Sequence, residues 1–173
     1  MKVAVIGLGV IGRVHMQLLA EMQKNVAAVC DVDESKFAEY PEAKGYTDYK
    51  RMIDEVRPDV VHVCTPHYLH AEMVVYALDK GVNVLCEKPL CIRRDEIDRI
   101  LEAEKKSSAQ LGVVLQNRYN AANEYAKEQL GNGYALSGYG TMVWHRDEEY
   151  YAQAAWRGTK DQEGGGVLIN QAL

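Results

Sequence analysis

The sequence predicts an α/β fold, a parallel sheet covered by helices on both faces, followed by the opening of an α+β open-sheet domain. Three observations predict it. Short apolar runs alternate with segments of helical periodicity over residues 3–115. A glycine-rich turn, Gly7-Leu8-Gly9-Val10-Ile11-Gly12, separates the first run from the first helical segment. The alternation then breaks near residue 117. Strands that alternate with helices in this way bury both faces of a parallel sheet.

Each element carries its own signal. Val3–Ile6 is an apolar run short enough for a strand. Residues 11–22 place apolar side chains at 11, 14, 18, 19 and 22, which is helical spacing. Val26–Cys30 is a second strand ending at Asp31, and Tyr49–Val56 is a short helix punctuated by Pro58. A strand over 60–64 runs into Thr65-Pro66. A helix over 69–79 is stopped by Gly81. The strand over 82–86 runs into Glu87-Lys88-Pro89-Leu90, a helix follows over 95–106, and the last strand covers 111–115. Beyond the break, a helix is predicted over 121–130, a turn at Gly131-Asn132-Gly133 and a long, partly exposed strand over 134–144. The division is therefore 1–118 and 119–173. One strand and a short remainder cannot bury a sheet face, so these residues are expected to be a fragment of a longer polypeptide.

Composition narrows the class. Hydrophobic residues make up 47% and charged residues 26%, enough for a core that needs no metal or disulfide staple. The net charge is −5 and the cations sit among acids, as in Glu102, Glu104, Lys105 and Lys106. No basic stripe is present to track nucleic-acid phosphates. The apolar stretch after Lys2 is broken by glycines and too short for a membrane span, so a cytoplasmic protein without a membrane partner is expected. Cysteines 30, 64, 86 and 91 form no CxxC pair. Three of them close apolar runs, where a thiol acts as a small buried hydrophobe.

The glycine turn has a defined physical task. In a GxGxxG between a strand and a helix, the first glycine makes the tight turn and the second lets backbone approach a diphosphate. The third lets helix and strand pack closely. Gly7, Gly9, Val10, Ile11 and Gly12 are therefore candidate cofactor-binding residues, with the helix N-terminus supplying free N–H groups. Asp31 falls 19 residues past Gly12, at the end of the second strand. A carboxylate there accepts hydrogen bonds from the adenosine ribose diol and repels a 2′-phosphate. The turn thus reads as a Rossmann dinucleotide site with NAD favoured over NADP. Lys36, close in sequence, works against that discrimination, and the same first turn also serves flavin dinucleotides.

Ligands of such sheets lie outside the carboxyl ends of the strands. Two polar clusters fall there: Thr65-Pro66-His67-Tyr68-Leu69-His70 and Glu87-Lys88-Pro89. Lys88 can aim an ammonium into the cleft, hold a substrate hydroxyl and steady a developing oxyanion. The alternative is an ordinary surface lysine. His70 reads as a hydrogen bonder at a helix start near the cofactor, and His15 as structural. His67 and His70 have no third ligand at a matching spacing, so no metal site is expected. Trp144, His145, Arg146, Tyr150, Tyr151, Trp156 and Arg157 mix flat apolar faces with hydrogen-bonding groups. Such a mixture suits a sugar or polyol pocket, and equally a domain edge or oligomer interface.

Taken together, these residues resemble the Gfo/Idh/MocA oxidoreductases, the family of glucose–fructose oxidoreductase and inositol dehydrogenase, over essentially the whole chain. The resemblance is carried by Gly7 to Gly12 with His15, Asp31, Thr65-Pro66 with His70, and Glu87-Lys88-Pro89-Leu90. It continues through Asn117-Arg118-Tyr119, Trp156-Arg157-Gly158-Thr159 and the run from Gly164 to Gln171. It implies an N-terminal Rossmann domain, an open-sheet second domain that forms homo-oligomers when full length, and NAD-dependent hydride transfer at a hydroxyl or carbonyl carbon of a sugar, inositol or related polyol. It implies that Thr65, Pro66, His70, Glu87 and Lys88 border the cofactor. Lys88 is then catalytic and, with Arg118, Tyr119, Trp156, Arg157 and Asn170, contacts substrate. Asn170 stands where the family often has Asp and cannot act as a base; Ala172 replaces a frequent Gly. The family's proton-accepting histidine would fall one residue after Leu173, so these 173 residues alone are expected to be inactive. The alternative class is a nucleotide-binding sensor or regulatory module without turnover.

Overall fold

The computed structural model of the chain describes residues 1–131, 137, 139, 141 and 143–171. The turn at 131–133 and the strand over 134–144 lie largely outside these residues, as does Ala172. The described residues divide into two compact units. One is Met1–Val114 together with the segment that begins at Gly158; the other is Leu115–Arg157.

The first unit contains six strands: β1 (Val3–Ile6), β2 (Val26–Cys30), β3 (Lys44–Tyr46), β4 (Val60–Val63), β5 (Asn83–Cys86) and β6 (Leu111–Val113). All neighbours are parallel, in the order β3-β2-β1-β4-β5-β6. The chain leaves β1 toward β2 on one side and returns to β4 on the other. The crevice between β1 and β4 is therefore the topological switch point where such sheets take ligands.

Helices α1 (Val10–Glu21), α2 (Tyr49–Val56), α3 (His70–Asp79) and α4 (Arg94–Lys106) cover the sheet. Side chains alternate along β1 because a strand has a period of two. Val3 and Val5 pack with Leu8, Val29, Cys64, and Met16 and Leu19 of α1. Ala4 and Ile6 pack into a larger core with Met52 and Ile53 of α2, Val74 and Leu78 of α3, and Ile100 of α4. Asp48 caps α2 by accepting from the Lys50 N–H at 2.8 Å, and Arg57 ends it in the left-handed region at φ 48°. Among the described residues no helix is long and apolar enough to cross a membrane.

Among the elements that escaped the periodicity reading are β3 and the 3-10 turn Glu34–Glu39. In β3, Lys44 and Gly45 are exposed and only Tyr46 is buried, so three edge residues carry no repeat to detect. The last strand is shorter than 111–115, although the Val114 N–H still bonds the Cys86 carbonyl at 2.8 Å.

The second unit contains a 3-10 turn (Gln116–Tyr119), α5 (Ala121–Gly131) and α6 (Glu148–Ala152). Asp147 caps α6 through the Tyr150 N–H at 2.9 Å. The division into 1–118 and 119–173 differs from these units in its last segment. From Gly158 onward, including α7 (Val167–Asn170), the chain packs on the first unit. Its physical anchor is Glu163, 3% exposed, whose carbonyl accepts from His67 Nδ1 at 2.9 Å.

One close approach sets the sheet–helix geometry. A Cβ on Gly12 would lie 1.9 Å from the Gly7 carbonyl oxygen, a backbone atom that cannot yield without moving β1 or α1. Gly12→Ala is therefore expected to destabilise the first unit by about 3 kcal/mol, the upper range for forced overpacking. Urea unfolding of the two proteins measures it.

Candidate functional site

The site is assembled at the carboxyl ends of β1, β2, β4 and β5. After β1 the backbone turns at Gly7 with φ 91°, and the Gly7 N–H still bonds the Cys30 carbonyl at 2.8 Å. α1 begins at Val10 with Gly9 as its N-cap, with no side-chain cap and no acid in its first turn. Its first N–H groups are thus left to a ligand, at the positive end of the helix. A Cβ on Gly9 would meet nothing within 4 Å, and Val10 is 71% exposed. This open, anion-seeking cradle fits a dinucleotide's diphosphate.

Asp31 lies at the end of β2 and is 9% exposed. Its Oδ2 accepts from the Leu8 N–H at 2.7 Å and its Oδ1 from the Asp33 N–H at 3.0 Å. The carboxylate is thereby locked to the glycine turn itself. Lys36 Nζ spans both oxygens at 3.0 and 3.1 Å, the bidentate position that a ribose diol would take. The residue that sequence placed against NAD discrimination is thus in contact with Asp31.

Beneath the turn runs a buried network. His15, on α1, donates from Nε2 to Glu87 Oε1 at 3.0 Å, because an ionised carboxylate only accepts. Its Nδ1 faces His62 Nδ1 of β4 at 2.9 Å, so one ring donates to the other. Glu87 Oε2 accepts from the Lys88 N–H at 3.1 Å. Glu87, 7% exposed, therefore ties the phosphate helix to the loop that carries Lys88. Burial, and secondarily the neighbouring His15, push the His62 imidazole down to about 4.

His70 opens α3, the helix start at which sequence placed a hydrogen bonder. It is fully buried, and its ring nitrogens face the Pro89 carbonyl and the Thr65 carbonyl, each at 2.8 Å. The neutral ring has one N–H, which donates to one of these two carbonyls. The ring packs between the loops after β4 and β5. Burial lowers its pKa, opposed by the two carbonyls. Thr65 and Pro66 are half-buried at the strand end, and the Thr65 hydroxyl faces Met73 Sδ at 3.4 Å.

Lys88 is brought to Asn170 across 82 positions of sequence. Its Nζ donates to the Asn170 carbonyl at 2.5 Å and to Asn170 Oδ1 at 2.9 Å. Asn170 Nδ2 donates in turn to Glu163 Oε1 at 2.8 Å, and Glu163 Oε2 accepts from the Gly158 N–H at 2.5 Å. The Glu163 carboxylate fixes which end of the Asn170 amide faces the ammonium. Sequence reasoning missed Glu163; its one available signal was its place directly before the glycine run. Gly164, at φ 93°, lets that run press on the loop after β5, since a Cβ there would sit 2.6 Å from Ile92 Cγ2.

The other sequence candidates belong to the second unit. Arg118 and Tyr119 sit exposed on the 3-10 turn. The Arg157 guanidinium lies 4.4 Å from the Tyr150 ring centroid and 5.0 Å from that of Trp156.

Fold and glycine turn together define a dinucleotide-binding Rossmann domain. Residues 1–115 match the oxidoreductase family with an NAD-binding Rossmann fold, Gfo/Idh/MocA, and the chain belongs to that family. It is 32% identical over 138 residues to the myo-inositol 2-dehydrogenase of Thermotoga maritima, covering 77% of this chain and 41% of that protein. It is 30% identical to the D-glucoside 3-dehydrogenase of Escherichia coli, covering 98% of this chain and 50% of the relative. The structure of the WlbA dehydrogenase from Bordetella pertussis, in complex with NADH and UDP-GlcNAcA, superposes with a TM-score of 0.88 at 26% identity. That match covers 99% of this chain and 54% of the other. The chain thus spans about half the length of these relatives.

The half-buried His62 makes stability depend on acidity. His62 stays neutral in the folded chain down to about pH 4, whereas an unfolded imidazole gains its proton near 6.5. The unfolded state binds more protons between those values, so stability falls as pH drops from 6.5 toward 4. This group's share is on the order of 3 kcal/mol. His62→Asn is expected to remove that part of the slope, read as the difference between the two proteins' urea-unfolding free energies across the window.

Proposed function

We propose that the protein is an NAD-dependent dehydrogenase that oxidises a secondary hydroxyl of a sugar, inositol or related polyol, or reduces the matching carbonyl. One observation carries the reading. A cradle with room for a diphosphate and an ammonium held by amide oxygens lie at the carboxyl ends of strands in one parallel sheet. The names of the relatives, inositol and glucoside dehydrogenases among them, agree with this class, and the WlbA relative's UDP-GlcNAcA extends it to sugar nucleotides.

The diphosphate rests on the N–H groups of α1, past Gly9. Asp31 holds the ribose diol, which requires Lys36 to move off the bidentate position it occupies. NAD, when bound, supplies the hydride acceptor. Lys88 donates a hydrogen bond to the substrate oxygen and stabilises the negative charge that grows there as the hydroxyl proton departs. Asn170 keeps the ammonium pointed, and Glu163 keeps Asn170 from flipping. The hydroxyl proton passes to a general base as the hydride leaves, a role the family pattern gives to a histidine.

Two experiments test this. NADH binding, followed by nicotinamide fluorescence on the intact protein, is expected to weaken about tenfold in Gly9→Ala while the melting temperature stays put. Absence of NADH binding by the wild type would sink the reading. With the sugar or polyol that the intact protein oxidises fastest, Lys88→Met is expected to lower kcat about 10²–10³-fold, as loss of an oxyanion donor does. NADH binding should persist in that variant, which separates loss of catalysis from loss of the cofactor site.

A further inference from the structure

The second unit holds two guanidiniums around one phenol. Arg146 lies 3.9 Å from the Tyr150 ring centroid and 5.5 Å from that of Trp144. Arg157 lies 4.4 Å from the same Tyr150 ring, stacks near Trp156, and donates from Nη1 to the Tyr150 hydroxyl. Like charges drawn to a single ring are ordinarily balanced by a carboxylate. Among the described residues none is within salt-bridge distance of either guanidinium. Asp147, next to Arg146 in sequence, caps α6 through Oδ1. Arg157 Nε is buried and has no acceptor among the described residues. A buried charged donor without a partner is a costly state, relieved when an acceptor arrives.

We infer that Arg146 and Arg157, set around Tyr150, form an oxyanion-binding site for the carboxylate or phosphoryl group of an acidic sugar. Guanidiniums recognise both groups through paired N–H donors, and the flat faces of Trp144 and Trp156 suit a sugar ring beside them. Ring stacking holds the two cations in place before the ligand binds, so little side-chain freedom is lost on binding. The site stands on the unit Leu115–Arg157 by itself.

The chain's two tryptophans, Trp144 and Trp156, both belong to this cluster, so intrinsic emission reports on it directly. The intact protein is titrated with D-glucuronate, glucose 6-phosphate and glucose at equal ionic strength. At least one anionic sugar is expected to bind about tenfold more tightly than glucose. The better of the two identifies carboxylate or phosphoryl as the cognate group. Arg157→Gln and Arg146→Gln are each expected to bring that preference down to about twofold or less. Far-UV circular dichroism and the melting temperature of each variant check that it remains folded. Equal binding of all three sugars, or a preference that survives both substitutions, overturns the inference. Loss of NADH binding by the wild type strikes the dehydrogenase reading instead and leaves the sugar comparison decisive for this site.

Discussion

The contact on which the rest of the first unit depends is the approach of α1 to the end of β1 at Gly12. Backbone meets backbone there with no space for a methyl group. That approach sets the N-terminus of α1 over the switch point and aims its free N–H groups into the crevice. It also brings His15, one turn further on, within hydrogen-bonding distance of both His62 and Glu87. A wider spacing would loosen the phosphate cradle and uncouple it from the loop after β5.

From that contact a chain of buried polar groups runs outward. Glu87 receives His15 on one oxygen and the Lys88 N–H on the other. His70 packs between the loops after β4 and β5, its N–H donating to one of the two carbonyls its ring nitrogens face. Glu163 and Asn170 then hold the Lys88 ammonium from the far end of the chain. Buried polar groups are stable only when satisfied, and a satisfied network has few alternative arrangements. Here that rigidity is spent on the orientation of one ammonium. The sheet supplies position, and the network supplies aim.

The cofactor side and the Lys88 side are secured by different means. Asp31 is locked by main-chain N–H groups of the glycine turn and of its own loop, so its geometry follows from local sequence. Lys88 is secured by residues more than seventy positions later. The partners of Lys88 can therefore change through the late segment while the dinucleotide cradle stays as it is. This agrees with a family whose members keep the Rossmann fold and differ in the sugar or cyclitol named for them.

By itself, the sequence determined the alternation of strands and helices, the glycine turn, Asp31 and the strand-end loops. Each of these rests on spacing within a few residues, where periodicity and backbone sterics act. The edge strand β3 was illegible because three residues hold no period. Tertiary structure alone decided that His70 is a buried tie, that His15 bridges α1 to Glu87, and that Glu163 sits behind Asn170. It alone decided that the segment from Gly158 joins the first unit, and that Arg146 and Arg157 share the Tyr150 ring. Those facts depend on which distant side chains become neighbours once water is excluded, and a buried charge declares its partner only when the fold has closed around it.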